Sequence, residues 1–414
     1  MSDEYQLYGG EISYFTGKVR AYLRFKDIPF VEHAATRDVY RSVILPRVGW
    51  PVIPVVVTPE DETLQDTTEI IDALEARFDE PSIYPEGPRQ RLVALLLEVW
   101  ADEWLKLPAM HYRWNHNTDW IIGEFGRLSK PDGTPEEQRE IGEKTCRPFR
   151  GSLPTLGVTE ATEGAIEHSY EALLKELDAH FATHRYLLGN RPSIGDFGLI
   201  GPLYAHQYRD PASGALMARI APNVVAWVER VHDGEDRRSD RRDDTAEGER
   251  RADERRSEER PGVDRRLDER RSRQRRRSEA DFLPDDTIPE TLLPVLRRVA
   301  REYFGVLAAQ QDALDAWAAT SEDDSVPRAL GMHPFTLDAG DGVTAEGERA
   351  LMTFDSWMLQ RPRDHLAALS GDEAAACDAF LDELLAATGA PDVLRRPLRT
   401  RLTRRNFQLQ RARD

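Results

Sequence analysis

One segment of this 414-residue chain cannot contribute to a packed core, and it divides the sequence into two parts. Residues 233–280 contain 17 Arg and 16 Asp or Glu, only five hydrophobic residues, and no Phe, Trp or Tyr. Such a segment buries too little apolar surface to offset the entropy lost on ordering. The sequence therefore predicts a disordered, solvated linker at 233–280 between folded parts at 1–232 and 281–414.

The origin and role of this segment stay open at the level of sequence. Residues 270–277 hold six Arg in eight positions and could touch RNA or phosphate, but they lack the interleaved aromatic residues on which bases stack. An expansion or a local reading-frame error would give the same pattern. A solvated spacer is the preferred interpretation.

The remainder of the chain is acidic. The whole chain carries 56 Lys and Arg against 74 Asp and Glu, a net charge of −18, and the segment itself carries 17 − 16 = +1. The rest therefore carries −18 − 1 = −19. An acidic surface repels nucleic acid and anionic lipid, so we expect no nucleic-acid partner.

No feature of the sequence predicts a membrane or secretory location. The longest apolar stretch, residues 92–99, is interrupted by Glu98 and falls well short of the roughly 20 residues that span a bilayer. The N-terminus has no basic and apolar signal pattern, so we expect a cytoplasmic protein. Cys146 and Cys377 are too far apart in sequence to indicate a disulfide framework or a metal site.

The first 80 residues alternate strand and helix patterns in the order β-α-β-α-β-β-α, which is typical of a thioredoxin-like domain. From residue 88 to 232 the periodicity is helical, with a looser stretch at 115–157. Residues 281–414 predict a mostly helical region with one hairpin, in which 333–337 pairs with 349–354, and helices that continue to the basic end at Arg404-Arg405. The predicted fold class is thus a multidomain α+β/α protein.

Four motifs in residues 1–232 together resemble the cytosolic glutathione transferases. In chain order they are the loop Gly10-Glu-Ile-Ser-Tyr-Phe-Thr-Gly-Lys-Val-Arg, the strand entry Val52-Ile-Pro-Val, the segment Leu64-Gln-Asp-Thr-Thr-Glu-Ile-Ile, and Tyr186-Leu-Leu-Gly-Asn-Arg-Pro-Ser-Ile-Gly-Asp-Phe. The resemblance implies a thioredoxin-like glutathione-binding domain at 1–80 and an all-helical domain at 88–232, followed by an extra C-terminal region of unknown role at 281–414.

The resemblance also implies where glutathione binds and what acts on it. Ser13 takes the position of the catalytic residue, with Tyr14 as the nearest alternative. Ile53 and Pro54, a cis-proline in the family, face the cysteinyl part of glutathione. Asp66 and Thr67 hold its γ-glutamyl group at a helix N-terminus, where unpaired N–H groups favour a carboxylate.

Thiol chemistry explains why a hydroxyl suits this position. A free thiol with a pKa near 8.5 is mostly protonated at neutral pH, so a transferase must stabilise the thiolate. The hydroxyl of Ser13 can do so, although a serine here can equally be a plain helix cap. Because Ser13 and Thr16 replace the two cysteines of a thioredoxin, dithiol oxidoreductase chemistry is excluded.

Several further residues have two interpretations. The glycyl carboxylate of glutathione could meet one of four basic residues that are otherwise solvated surface, namely Lys18, Arg37, Arg41 and Arg47. An aromatic-rich helix end could line the second-substrate pocket or belong to the core; its residues are Trp100, Trp104, Met110, His111, Tyr112 and Trp114. His180 and His184 lack the Glu of a metalloprotease motif, so we expect no metal.

The sequence thus predicts a glutathione transferase in which Ser13 stabilises a thiolate that attacks a small apolar electrophile. Glutathione is the co-substrate, and the resemblance includes homodimers, although an extra domain could cover the dimer surface. The alternative is a non-catalytic binding or assembly protein on the same fold, and a glutathione-dependent isomerase or peroxidase is a lesser one.

Overall fold

The computed structural model describes residues 4–234 and 281–412. The N-terminal part is the predicted thioredoxin-like domain, with a four-stranded sheet in the order β2-β1-β3-β4. Its elements are β1 (Tyr5–Gly9), α1 (Tyr14–Phe25), β2 (Phe30–Ala34), α2 (Arg37–Val39), the π-helical turn Tyr40–Ile44, α3 (Leu45–Val48), β3 (Val55–Val57), β4 (Thr63–Gln65) and α4 (Thr67–Glu75).

The all-helical domain follows, as the sequence predicted. Its helices are α5 (Pro88–Val99), α6 (Lys106–His111), α7 (Thr118–Ser129), α8 (Pro135–Gly151), α9 (Leu153–Leu156), α10 (Glu163–Phe181), α11 (Ile194–Pro202), α12 (Pro211–Ile220) and α13 (Pro222–Asp233), with π-helical segments at Trp100–Trp104, Tyr112–His116 and Leu203–Tyr208. The stretch expected to be loose is largely the helix pair α7 and α8. Gly126 and Gly142 permit this pairing, because a Cβ atom at either would lie 2.1 Å from a carbonyl oxygen of the facing helix.

The C-terminal region contains the 3₁₀ turn Glu290–Leu292, α14 (Leu293–Thr320), β5 (Ala329–Gly340), β6 (Val343–Met352), α15 (Thr353–Ala368), α16 (Gly371–Thr388), β7 (Leu402–Arg405) and β8 (Gln408–Arg411). The predicted hairpin is confirmed, since His333 pairs with Arg349, but its strands extend almost to the turn at Asp341-Gly342. The expectation that helices continue to the basic end is wrong. Residues 402–411 form a second hairpin, which we call the C-terminal hairpin.

The C-terminal region packs against both preceding domains. Trp104 donates from Nε1 to Glu302 of α14 at 3.0 Å, and the guanidinium of Arg349 lies 4.7 Å from the centre of the Trp104 ring. From α15, Arg361 forms an ion pair with Asp72 of α4. One continuous hydrophobic core therefore includes residues of all three parts.

Almost all of the predicted linker, residues 235–280, lies outside the described residues. None of the helices in the described ranges is long and apolar enough to cross a membrane.

His180, on α10, joins the helical domain to the C-terminal region as a neutral ring. Its Nδ1 lies 2.9 Å from the Thr291 hydroxyl and its Nε2 lies 3.2 Å from the Tyr186 carbonyl oxygen. Burial lowers the pKa of His180 to about 4. When the pH falls from about 6.5 to about 4, the His180 ring therefore gains a proton in the unfolded chain but not in the native protein.

We expect this difference to make the protein less stable in mild acid. Over that pH range His180 should lower the free energy of unfolding by about 3 kcal/mol, since a pKa difference of one unit corresponds to about 1.4 kcal/mol. Urea denaturation of wild type and His180→Gln at both ends of the range measures this. The variant should lose about 3 kcal/mol less than wild type on acidification, and equal losses would contradict the assignment.

Candidate functional site

The sheet register brings the three predicted site segments to one edge. Tyr8 near the end of β1 pairs with Val55 at the start of β3, and Val55 pairs with Gln65 at the end of β4. Ser13 follows β1, Ile53 and Pro54 precede β3, and Asp66 and Thr67 follow β4. Segments far apart in the sequence thus meet beside the N-terminal ends of α1 and α4.

Ser13 caps α1 with its hydroxyl oxygen and keeps its own proton available. Its Oγ accepts a hydrogen bond from the backbone N–H of Thr16 at 3.2 Å, and the residue is half-buried. A hydroxyl oxygen can accept this bond while its O–H donates elsewhere. The cap interpretation and the catalytic interpretation are therefore compatible.

The alternative donor, Tyr14, points away into the helical domain. The residue is buried and its hydroxyl donates to the backbone carbonyl of Ala101. Burial, with Asp102 and Glu103 nearby, raises the pKa of Tyr14 well above its ordinary value. The hydroxyl of Tyr14 is thus already engaged within the protein.

The peptide bond between Ile53 and Pro54 is cis, as the sequence predicted. Pro54 is buried, whereas Ile53 and Val52 are half-buried at the edge of the sheet. Because Tyr8 pairs with Val55, this loop lies at the sheet edge where β1 ends, before the segment that leads to Ser13.

Asp66 occupies the N-cap of α4 in an unusual backbone conformation. Its φ angle is +77°, and its side chain accepts from the backbone N–H of Thr68 at 2.9 Å. Burial raises the pKa of Asp66, while the positive charges of Arg404 and Lys18 act to lower it. Asp66 is half-buried and Thr67 is buried beside it, so an acidic group and a helix N-terminus share one corner of the site.

The four candidate partners for the glycyl carboxylate differ in their surroundings. Lys18 is not surface: its Nζ is fully buried and pairs with Glu98 at 2.8 Å and Asp102 at 2.6 Å. Arg47 of α3 pairs with Asp61 in the loop between β3 and β4. Arg37 and Arg41 are exposed on and just after α2.

The aromatic helix end belongs mainly to the core. Trp100 and Trp104 are 0% and 1% exposed, and Tyr112 and Trp114 are also buried. A separate apolar cluster lies next to Ser13, because Ile12 packs with Trp114, Ile121, Ile122 and Cys146, and with Phe125 and Leu128 at its margin. Helix α7 thus contributes apolar side chains to the cluster that contains Ile12, the residue before Ser13.

One group of possible metal ligands occurs within residues 4–234. His111 and His116 direct their Nε2 atoms to the same oxygen of Glu167, at 2.9 and 2.8 Å. Ordinary hydrogen bonds account for these distances. The pair that the sequence singled out, His180 and His184, stacks ring on ring at 4.9 Å.

The fourth motif forms a capping box at the start of α11. Asp196 accepts from the backbone N–H of Ser193 at 2.8 Å and from Leu187 at 3.0 Å, and Trp227 donates to it from Nε1 at 3.1 Å. This motif stabilises the start of α11 within the helical domain.

Sequence reasoning missed two residues at the site edge, both in the C-terminal hairpin. Arg404 donates to the backbone oxygen of Gln65 at 3.0 Å, directly before Asp66. Phe407 packs into the apolar cluster that includes Val52 and Ile53. The one local signal was Asn406, a residue type common in tight hairpin turns.

Each of the first two domains matches a known family model. The model described as glutathione S-transferase, N-terminal domain, matches residues 7–82, and that described as glutathione S-transferase, C-terminal domain, matches residues 160–230. The fold and the site edge define a thioredoxin-like domain joined to an all-helical one. Residues 7–82 and 160–230 thus match the N-terminal and C-terminal domains of the glutathione S-transferase family.

Solved structures similar to this chain cover slightly more than half of it. A glutathione S-transferase from Rhodospirillum rubrum F11 is 18% identical with a TM-score of 0.34, covering 55% of this chain and 87% of its own. The β-etherase LigF from Sphingobium sp. strain SYK-6 is 17% identical with a TM-score of 0.39, covering 55% and 94%. A glutathione S-transferase from Methylobacterium radiotolerans in complex with glutathione sulfonate is 18% identical with a TM-score of 0.34, covering 56% and 91%. No curated protein sequence matched the chain.

Proposed function

We propose that this protein is a glutathione transferase whose glutathione site lies between Ser13, the Ile53–Pro54 loop and the Asp66–Thr67 helix start. The hydroxyl of Ser13 donates to the thiolate of bound glutathione, which then attacks a small apolar electrophile. The matches of the first two domains to the glutathione S-transferase models support the general activity, and the meeting of the three segments at one sheet edge supports the site.

The single observation that carries the mechanism is the hydrogen bonding of Ser13. Its Oγ already accepts from Thr16 N–H, which fixes the side chain and leaves the O–H as a donor. A hydrogen bond to the charged form of a thiol lowers its pKa, and the N-terminus of α1 adds a favourable dipole. Both effects favour a thiolate at neutral pH.

Two further features fit the two substrates. The charge of Asp66 suits the α-ammonium of the γ-glutamyl group, and the first N–H groups of α4 suit its α-carboxylate. The apolar cluster around Ile12 and α7 lies beside Ser13, where an apolar electrophile would approach the thiolate.

We expect Asp66→Asn to weaken glutathione binding about 10- to 100-fold, because one charge-assisted hydrogen bond contributes about 1.5 to 3 kcal/mol. Asparagine keeps the size of the side chain and an oxygen for the helix cap, so the fold should persist. Calorimetric titration of the full chain with glutathione measures the effect. Asp79→Ala, which removes an exposed acidic group of the same domain, is the control.

Either of two results would contradict the proposed site. Wild type that releases no heat with millimolar glutathione would mean that the site does not bind it. Equal affinity of wild type and Asp66→Asn would place glutathione elsewhere.

A further inference from the structure

The C-terminal hairpin reaches across to the thioredoxin-like domain and is fixed at its base. Leu402 exchanges two hydrogen bonds with the side chain of Gln360 on α15, at 2.7 and 2.9 Å. The backbone N–H of Arg411 donates to the carbonyl of Asp324 at 2.8 Å. Asn406 and Phe407 both have positive φ angles, which makes the turn tight and directs the tip outward from this base.

Arg404 inserts its guanidinium beside the start of α4. The side chain is 4% exposed, donates to the Gln65 backbone oxygen at 3.0 Å, and pairs with Glu69 at 2.5 Å. A second nitrogen donates to the side-chain oxygen of Gln65. Gln65 and Glu69 lie on either side of the two residues proposed to hold the γ-glutamyl group, so Arg404 fixes both ends of that short segment.

The tip of the hairpin packs against the apolar cluster beside the other half of the site. Phe407 packs into the apolar cluster at the sheet edge that also includes Trp50, Val52 and Ile53, the loop leading into the cis-proline. One hairpin therefore borders both subsites. Ser13, Ile53 and Asp66 remain half-buried with the hairpin in place. The hairpin therefore lines one side of the site and does not close it.

The charged groups around Asp66 indicate what Arg404 does there. The acidic groups that face Asp66 are Glu69 on its own helix, Glu98 on α5 and Asp102 in the following π-helical segment. The cations are Lys18 of α1 and Arg404, and Lys18 is already paired with both Glu98 and Asp102. Burial raises the pKa of Asp66, and both cations act to lower it, Arg404 more than Lys18.

We propose that the C-terminal hairpin is part of the glutathione site and that Arg404 is a positioning residue, which holds Asp66 charged and in place for the α-ammonium of the γ-glutamyl group. This inference rests on the proposed function. It gives the C-terminal region a role in ligand recognition. The protein can then select a γ-glutamyl ligand with a free amino group only while the C-terminal hairpin is packed on the thioredoxin-like domain.

The test compares two ligands on the full chain by calorimetry between about pH 5 and 8, where the charge of a buried carboxyl can change. The ligands are glutathione and glutaryl-cysteinyl-glycine, which is glutathione without its α-amino group. Wild type should prefer glutathione about 10-fold or more. In Arg404→Ala the preference for glutathione should fall to within about threefold. As the pH is lowered, this variant should lose the preference at a higher pH than wild type does. Arg404→Lys should restore part of the preference.

A matched control is Arg401→Ala, since Arg401 lies just before β7 but pairs with Asp364 at 2.6 Å on the surface. It should keep the wild-type preference. An Arg404→Ala variant that retains the full preference at every pH would overturn the inference and leave the proposed function intact. Equal weakening of both ligands at every pH would also overturn it, because that result indicates only a structural role. Wild type that binds neither ligand would overturn the proposed function itself, and the inference with it.

Discussion

Replacing Lys18 with Met should lower the free energy of unfolding by about 3 to 5 kcal/mol, which is typical when one partner of a buried ion pair is removed. The Nζ atom of Lys18 is fully buried and lies 2.8 Å from Glu98 and 2.6 Å from Asp102. Without it, two buried carboxyl groups face each other with no cation from α1. Chemical denaturation at neutral pH measures the loss.

The loss should shrink in acid. Burial raises the pKa of Asp102 to about 7 even with Lys18 present, so Asp102 takes up a proton readily in the native state. Removing the cation raises that pKa further, and protonation relieves the repulsion as the pH falls. Lys18→Met should therefore lower the free energy of unfolding less near about pH 5 than near about pH 8.

Lys144→Met is the control, because Lys144 pairs with Glu140 at 2.6 Å on the surface and exposed pairs contribute at most about 1 kcal/mol. Adding Asp102→Asn to Lys18→Met should restore part of the lost stability. A cost below about 1 kcal/mol for Lys18→Met would contradict the described network.

This network matters for the site because it joins the helices that form it. Glu98 also accepts a hydrogen bond from the Thr68 hydroxyl at 2.9 Å, in the first turn of α4, and lies 3.3 Å from Nε of Arg361 on α15. Lys18 belongs to α1, which Ser13 caps. The same buried charges therefore link the helix of the proposed catalytic residue to the helix of the γ-glutamyl subsite.

Ser13→Ala should reduce kcat/KM for glutathione conjugation about 10- to 100-fold, since a hydrogen bond to a charged group contributes about 1.5 to 3 kcal/mol. The variant also loses the cap of α1, at a cost of about 1 kcal/mol in stability. The measurement is steady-state conjugation of glutathione to an activated aryl halide, at a temperature where both proteins are folded.

Three variants separate the hydroxyl from other effects. Ser13→Thr keeps the hydroxyl and should retain most of the activity. Thr134→Ala removes an equivalent cap from α8 and should not change the kinetics. Tyr14→Phe should also leave the kinetics unchanged, because the Tyr14 hydroxyl is engaged with Ala101.

Wild type that binds glutathione but turns over no electrophile would favour the non-catalytic alternative. A Tyr14→Phe variant with the larger loss would instead move the catalytic role from Ser13 to Tyr14.

Local signals explain what could be predicted from the sequence. The cis bond before Pro54 and the helix start at Asp66 and Thr67 are confirmed, and the fourth motif forms a capping box between Ser193 and Asp196. Each involves residues a few positions apart, where residue type and backbone geometry determine the outcome together. The order of strands and helices in the first 80 residues follows for the same reason.

Long-range contacts explain what could not be predicted. Arg404 and Gln65 are 339 positions apart, and the partners of Lys18 are 80 and 84 positions away. A lysine or arginine on an amphipathic element usually predicts a solvated surface, so its sequence neighbours do not reveal a buried pair. The C-terminal hairpin was missed because Phe407 stands where a tight turn usually has Gly.

The most direct test of the central claim is the pKa of the glutathione thiol when it is bound to the protein. The ultraviolet absorbance of the thiolate, followed across pH in wild type and Ser13→Ala, measures it. We expect a pKa below the free value of about 8.5 in wild type, and a value about one to two units higher in Ser13→Ala. An unshifted thiol pKa in wild type, or the same pKa in both proteins, would contradict the assignment of Ser13 as the thiolate-stabilising residue.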